Sequence, residues 1–75
     1  MTHSLSRIFA GQVARIRKER GLTQEELALI AGLDRTYISG IERCRRNVTI
    51  KTVESVAKAL QVQAHVLFIE DVEHE

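Results

Sequence analysis

The sequence predicts an all-α fold, a compact domain of five short helices, and three observations predict it. Apolar residues recur at helical spacing almost throughout, and no stretch alternates as a half-buried strand does. There is no proline to break a helix from within. Residues that start helices stand ahead of the apolar runs, and glycines stop two of them.

The first helix runs from about Ser4 or Ser6 to Arg20. Leu5, Ile8, Phe9, Val13 and Ile16 form its apolar stripe, and Arg15, Arg17, Lys18 and Arg20 lie mostly off it. Gly21 is its C-terminal stop. Thr23 starts the second helix and pairs with Glu26 in a capping box, each side chain satisfying a backbone N–H. Leu27, Ile30 and Ala31 are expected to face inward, and Gly32 ends the helix. Asp34 caps the third helix, Arg35 to about Arg43, by accepting from amides near Thr36 and Tyr37. A basic loop, RCRRNV, spans Arg43 to Val48. Thr49 then caps a fourth helix with the stripe Ile50, Val53, Val56, Ala57 and Leu60. A last short helix near Gln63 to Ile69 precedes an acidic DVEHE end.

Seventy-five residues make one domain, 1–75, near the lower limit for folding on a single core. Apolar content of 44% with 28% charge describes a globular chain rather than a disordered one. No apolar run approaches a membrane span and the first residues lack signal-peptide order, so a cytoplasmic protein without membrane contact is expected. Cys44 is the only cysteine, which excludes an intrachain disulfide. An inert thiol is its simpler reading, although neighbouring arginines favour thiolate, because no resolving partner exists. His3, His65 and His74 are scattered, so neither metal nor cofactor is expected. No nucleophile–base pair can be assembled, which argues against an enzyme.

The net charge of +1 hides an asymmetry. Residues 1–51 carry +5 and residues 52–75 carry −4. A basic body with an acidic end suits a protein that presents one face to a polyanion.

The segment QEELALIAGLDRTYISGIE, Gln24 to Glu42, holds the decisive spacing. Counted from Gln24, Leu27, Ala28, Gly32, Leu33, Ile38 and Ile41 stand at positions 4, 5, 9, 10, 15 and 18. A small residue sits where two helices must cross closely, a glycine at the turn, and apolar residues lock the angle. That is a helix-turn-helix, which places its second helix in the DNA major groove. An ordinary helical hairpin would explain the apolar positions equally well. It would not explain an exposed face of Arg35, Thr36, Tyr37, Ser39 and Arg43, nor Gly40 in a helix interior. Gly40 is expected to let the helix approach another surface, with DNA the candidate.

Arg35, Thr36 and Tyr37 occupy the first turn of the recognition helix, which reaches base edges in this docking mode. An arginine bonds both O6 and N7 of guanine, and threonine bonds a base or touches a thymine methyl. Phosphate contacts are expected from Gln24 with the free amides beside it, and from Ser39, Arg43, Asn47 and Lys51. Arg46 is long enough to reach a base or a phosphate.

The stretch LDRTYISGIERCRRNVTIKTVE, with GLTQEELA ahead of it, resembles the controller proteins of restriction-modification systems. These are Cro/repressor-type (Xre) helix-turn-helix proteins with a lambda-repressor-like fold, and the resemblance covers about residues 10–60. It implies a homodimer on a pseudo-palindromic operator of double-stranded DNA, upstream of its own gene and the endonuclease gene. It further implies a transcriptional regulator, an activator that becomes a repressor when a second dimer loads on the adjacent site. By position, Arg35, Thr36, Tyr37 and Arg46 would read or shape the DNA, and Gln24, Ser39, Arg43 and Asn47 would hold phosphates. Cys44 departs from the polar residue sometimes found in that loop.

Val66, Leu67, Phe68 and Ile69 form an apolar run too continuous for one small domain to cover, so these residues are the expected dimer interface. Glu25 and Glu26 offer an acidic surface that RNA polymerase could touch, although Glu26 is also explained by capping. The alternative is an antitoxin-type repressor whose main partner is a protein; its toxin-wrapping extension would have to be the five-residue acidic end.

Overall fold

The structure, a computed structural model, describes residues 4–70. The DVEHE end, with His74, and His3 lie outside the described residues. Ser4 caps α1 (Leu5–Glu19) by accepting from the Arg7 N–H at 3.3 Å. The helix stops where Gly21 turns left-handed at φ 73°, a conformation that glycine takes without a Cβ penalty. The capping box of α2 (Gln24–Ala31) is complete. Thr23 Oγ1 accepts from the Glu26 N–H at 3.0 Å, and Glu26 Oε1 accepts from the Thr23 N–H at 2.8 Å. Asp34 caps α3 (Arg35–Glu42), accepting from the Thr36 N–H at 2.8 Å. Thr49 caps α4 (Ile50–Leu60), accepting from the Thr52 N–H at 3.1 Å.

The core lies where α1 crosses α3 and α4, with α2 closing one side. Phe9, Val13, Leu27, Ile38, Val56, Leu60 and Leu67 are essentially fully buried there. Each such side chain stabilises the fold by about 1.5–3 kcal/mol relative to exposure.

The expected fifth α-helix is instead a 3-10 helix of five residues, Ala64–Phe68. No side chain caps its start, and its bonds close at i→i+3, from Val66 N–H to Gln63 O. The tighter winding drives Leu67 into the core and stacks Phe68 on Phe9, ring centroids 5.4 Å apart. Gln12, itself buried, fixes the segment by donating its side-chain amide to Ile69 O at 2.6 Å.

Three apolar residues expected on inward stripes are exposed: Leu5 (64%), Ile30 (57%) and Ile50 (76%). Ile30 and Ile50 lie at the margins of their helices' apolar arcs, and Leu5, one turn before Phe9, is the first residue of α1. In α2 the small Ala28, not Ile30, is buried beside Leu27.

Candidate nucleic-acid interface

The turn between α2 and α3 has the geometry its spacing demands. Gly32 is left-handed at φ 72°, and the Leu33 N–H closes back on Ala28 O at 2.8 Å. Ala28 is buried where the helices pack, and Leu27, Ile38 and Ile41 lock them from below. The inner side of α3 is thereby fixed and its outer side left open.

A second fixation comes from charge. Arg17 of α1 grips Glu42, the last residue of α3, in a forked pair at 2.6 and 3.0 Å. Its remaining NH1 donates to Leu22 O at 2.8 Å. Both side chains are nearly enclosed. The hydrogen bond to Glu42 raises the Arg17 pKa above its ordinary value, against the opposing effect of burial. The sequence reading set Arg17 off the buried stripe and missed this pair. The available signal was its place beside Ile16 and one turn after Val13, with Glu42 the one acid inside the recognition helix.

Gln24 joins this network. Its side-chain amide donates to Glu42 Oε1 at 3.0 Å, so the group expected on phosphate points inward. The backbone N–H groups of Gln24 and Glu25 open α2 and have no acceptor within it. A phosphate at this end would meet those amides first.

On the outer side, Arg35 and Thr36 are exposed in the first turn of α3, while Tyr37 and Ser39 are half-buried. Arg43, Asn47 and Lys51 are exposed along the far edge. Arg35, Arg43, Arg45, Arg46 and Lys51 have no carboxylate partner among the described residues, whereas Arg15 and Arg17 are paired. The face is therefore a row of cations without carboxylate partners among the described residues.

The loop after α3 turns back along the helix through Cys44. Its φ is 57°, in the left-handed region. The Cys44 N–H bonds Ile41 O at 2.9 Å and the Arg45 N–H bonds Gly40 O at 2.8 Å. These two bonds are a Schellman cap, whose left-handed position is usually glycine. Cys44 thus has a backbone role that the reading of an inert loop thiol did not anticipate. The cap sends Arg46 across the face of α3, where its guanidinium lies over the Tyr37 ring, 5.1 Å from the centroid. Within the protein, the surface approached closely at Gly40 is the Arg46 side chain.

The run Val66 to Ile69 divides. Leu67 is entirely buried in its own domain and has no surface for a partner. Val66 and Phe68 are half-buried, and Ile69 is exposed. Leu5, Ile50 and Phe68 line a groove with Val48 between α1 and α4.

A family model described as "Helix-turn-helix" matches residues 13–67. The control protein C.BamHI of Bacillus amyloliquefaciens is 44% identical over 64 residues, 84% of this chain and 79% of that protein. A hypothetical transcription factor of Neisseria meningitidis is 42% identical over 65 residues, 87% of this chain; the chain spans only 61% of that relative. Among solved structures, the restriction-modification controller protein C.Esp1396I, a tetramer on its natural 35 base-pair operator, superposes with a TM-score of 0.81. It is 48% identical, with 89% of this chain and 88% of that one covered.

Proposed function

The chain belongs to the helix-turn-helix family, and from that premise we propose that it is the controller protein of a restriction-modification system. It is a sequence-specific transcriptional regulator in the cytoplasm that binds operator DNA through α3. Its family and relatives are DNA-binding regulators rather than enzymes. The observation that carries the reading is the row of cations led by Arg35, with no carboxylate partner among the described residues, held outward on a helix whose other side is locked. Arg35, Thr36, Tyr37 and Arg46 read or shape bases. Ser39, Arg43, Asn47, Lys51 and the amides at Gln24 hold phosphates.

The regulator acts as a homodimer whose recognition helices enter the groove one turn apart, roughly 34–36 Å. Its interface is redrawn without Leu67: Leu5, Ile50 and Phe68, continued by Val66 and Ile69. What supports this is the groove that Leu5, Ile50 and Phe68 line with Val48, and the exposure of Leu5, Ile50 and Ile69 on a small domain. A second dimer on the adjacent site switches activation to repression, in keeping with the relative seen as a tetramer on its operator. RNA polymerase meets Glu25 and Glu26, exposed one turn ahead of the exposed Leu29 and Ile30. If Glu25→Ala retained full activation at unchanged DNA affinity, that contact would be excluded.

A gel-shift titration on the DNA upstream of the gene tests the whole reading. Two dimer steps are expected, each weakening steeply with salt by about 0.9 in log–log slope per phosphate contacted. A single salt-insensitive step, or none, would overturn it.

A further inference from the structure

We infer that Gly40 is a specificity-determining residue that acts through Arg46: the missing side chain at Gly40 is a channel that, with the Tyr37 ring, holds Arg46 in reading position. The inference rests on the reading that Arg46 meets the bases. A β-carbon on Gly40 would stand 2.8 Å from Arg46 Cγ and 3.0 Å from Nε. The first distance is closer than packed carbons come, so any larger residue displaces the Arg46 stem. What must move is a side chain and not backbone, so the displacement leaves the fold intact.

The consequence for binding follows from where the channel leads. Tyr37 and Gly40 are one turn apart on the same side of α3, and the stem crosses Gly40 before its guanidinium reaches the ring. A residue six positions further along the chain is thereby brought back to Tyr37 in the first turn of the helix. Arginine is among the side chains with most rotamer freedom to lose, and a docked guanidinium has already lost it before DNA arrives. The channel therefore tightens binding without touching DNA. It also explains why the least favourable helix former other than proline stands inside α3.

Two measurements on the full chain test this. In the free protein, the Tyr37 ring should shift the Arg46 Nε–H resonance upfield; Gly40→Ala should abolish the shift and Tyr37→Phe should keep it. An unshifted resonance in wild type overturns the docked state, and an unchanged shift in Gly40→Ala overturns the channel. In the second, wild type, Gly40→Ala, Arg46→Ala and the double variant are titrated on the duplex that wild type selects from a random pool, and on its single-base variants. Gly40→Ala should weaken the preferred duplex about fivefold, relax preference at the base pair that Arg46→Ala also relaxes, and leave Tm unchanged or slightly raised, the gain in helix propensity offsetting the lost ring contact. In the Arg46→Ala background it should weaken nothing further. An equal loss in both backgrounds, or none, overturns the channel alone. Intact base preference in Arg46→Ala overturns the underlying assignment and the channel with it.

Discussion

Arg17 and Arg35 show the same side chain put to opposite uses at the two ends of one short helix. Arg17 is enclosed and forked onto Glu42, with a spare N–H on Leu22 O, so every donor that points inward has its acceptor. Arg35 is exposed at the first turn and forms no ion pair among the described residues. A charge that is already satisfied has little to offer a ligand, and one that is not gains most from an anion or a base edge. The difference separates the part of α3 that sets where the helix lies from the part that reads. Arg46 stands between them, exposed yet held over Tyr37.

The comparison breaks first at Glu42. Glu42→Ala leaves Arg17 enclosed without its partner and should cost about 3–5 kcal/mol in urea unfolding. Joint replacement by Arg17→Met and Glu42→Leu should recover most of that loss. A cost below about 1 kcal/mol would put the pair in the class of surface ion pairs and remove the distinction. The charged form of Arg17 is favoured by folding, so its contribution is fully present below the ordinary arginine pKa and is lost only as pH rises through the raised one. Stability should therefore show no Arg17-linked fall across the neutral and mildly alkaline range.

Arg35→Ala should do the reverse. It should cost about 1–3 kcal/mol of discrimination at one base pair and change stability by less than about 0.5 kcal/mol, seen by pairing filter binding with thermal melts. Cys44→Asn tests the hinge between the two regions. Asparagine tolerates the left-handed conformation, so the variant should gain about 0.5–1 kcal/mol without change in DNA preference. A loss would mean that the thiol packs better than its backbone geometry suggests. The smallest effect is expected at Lys51, where Lys51→Ala should weaken all duplexes alike and lower the salt slope by about 0.9.

Much of this division was legible in the residues, and what was not has a common cause. The caps at Thr23, Asp34 and Thr49 and the turn at Gly32 follow rules confined to a few neighbouring residues, and the structure has them where the sequence puts them. The Arg17–Glu42 pair joins residues 25 apart, and the place of Arg17 at the edge of the α1 stripe does not by itself identify its partner. Gly40 was read correctly as a point of close approach, but what approaches comes from a loop whose path depends on Cys44 turning left-handed. Leu67 was expected at the surface and is buried, because a short run of apolar residues fits a 3-10 turn as well as an α-helix, and the winding decides which of them faces the core.

The central claim is that α3 reads sequence with its free cations and not merely charge. The most direct measurement is the affinity ratio of the full chain for the upstream duplex over a scrambled duplex of equal length, at one fixed physiological salt concentration, for wild type and Arg35→Ala. The account predicts a wild-type ratio of about 10³ or more, cut at least fivefold by Arg35→Ala while affinity for the scrambled duplex falls only slightly. A ratio near unity in wild type, or one that Arg35→Ala leaves unchanged, would contradict it.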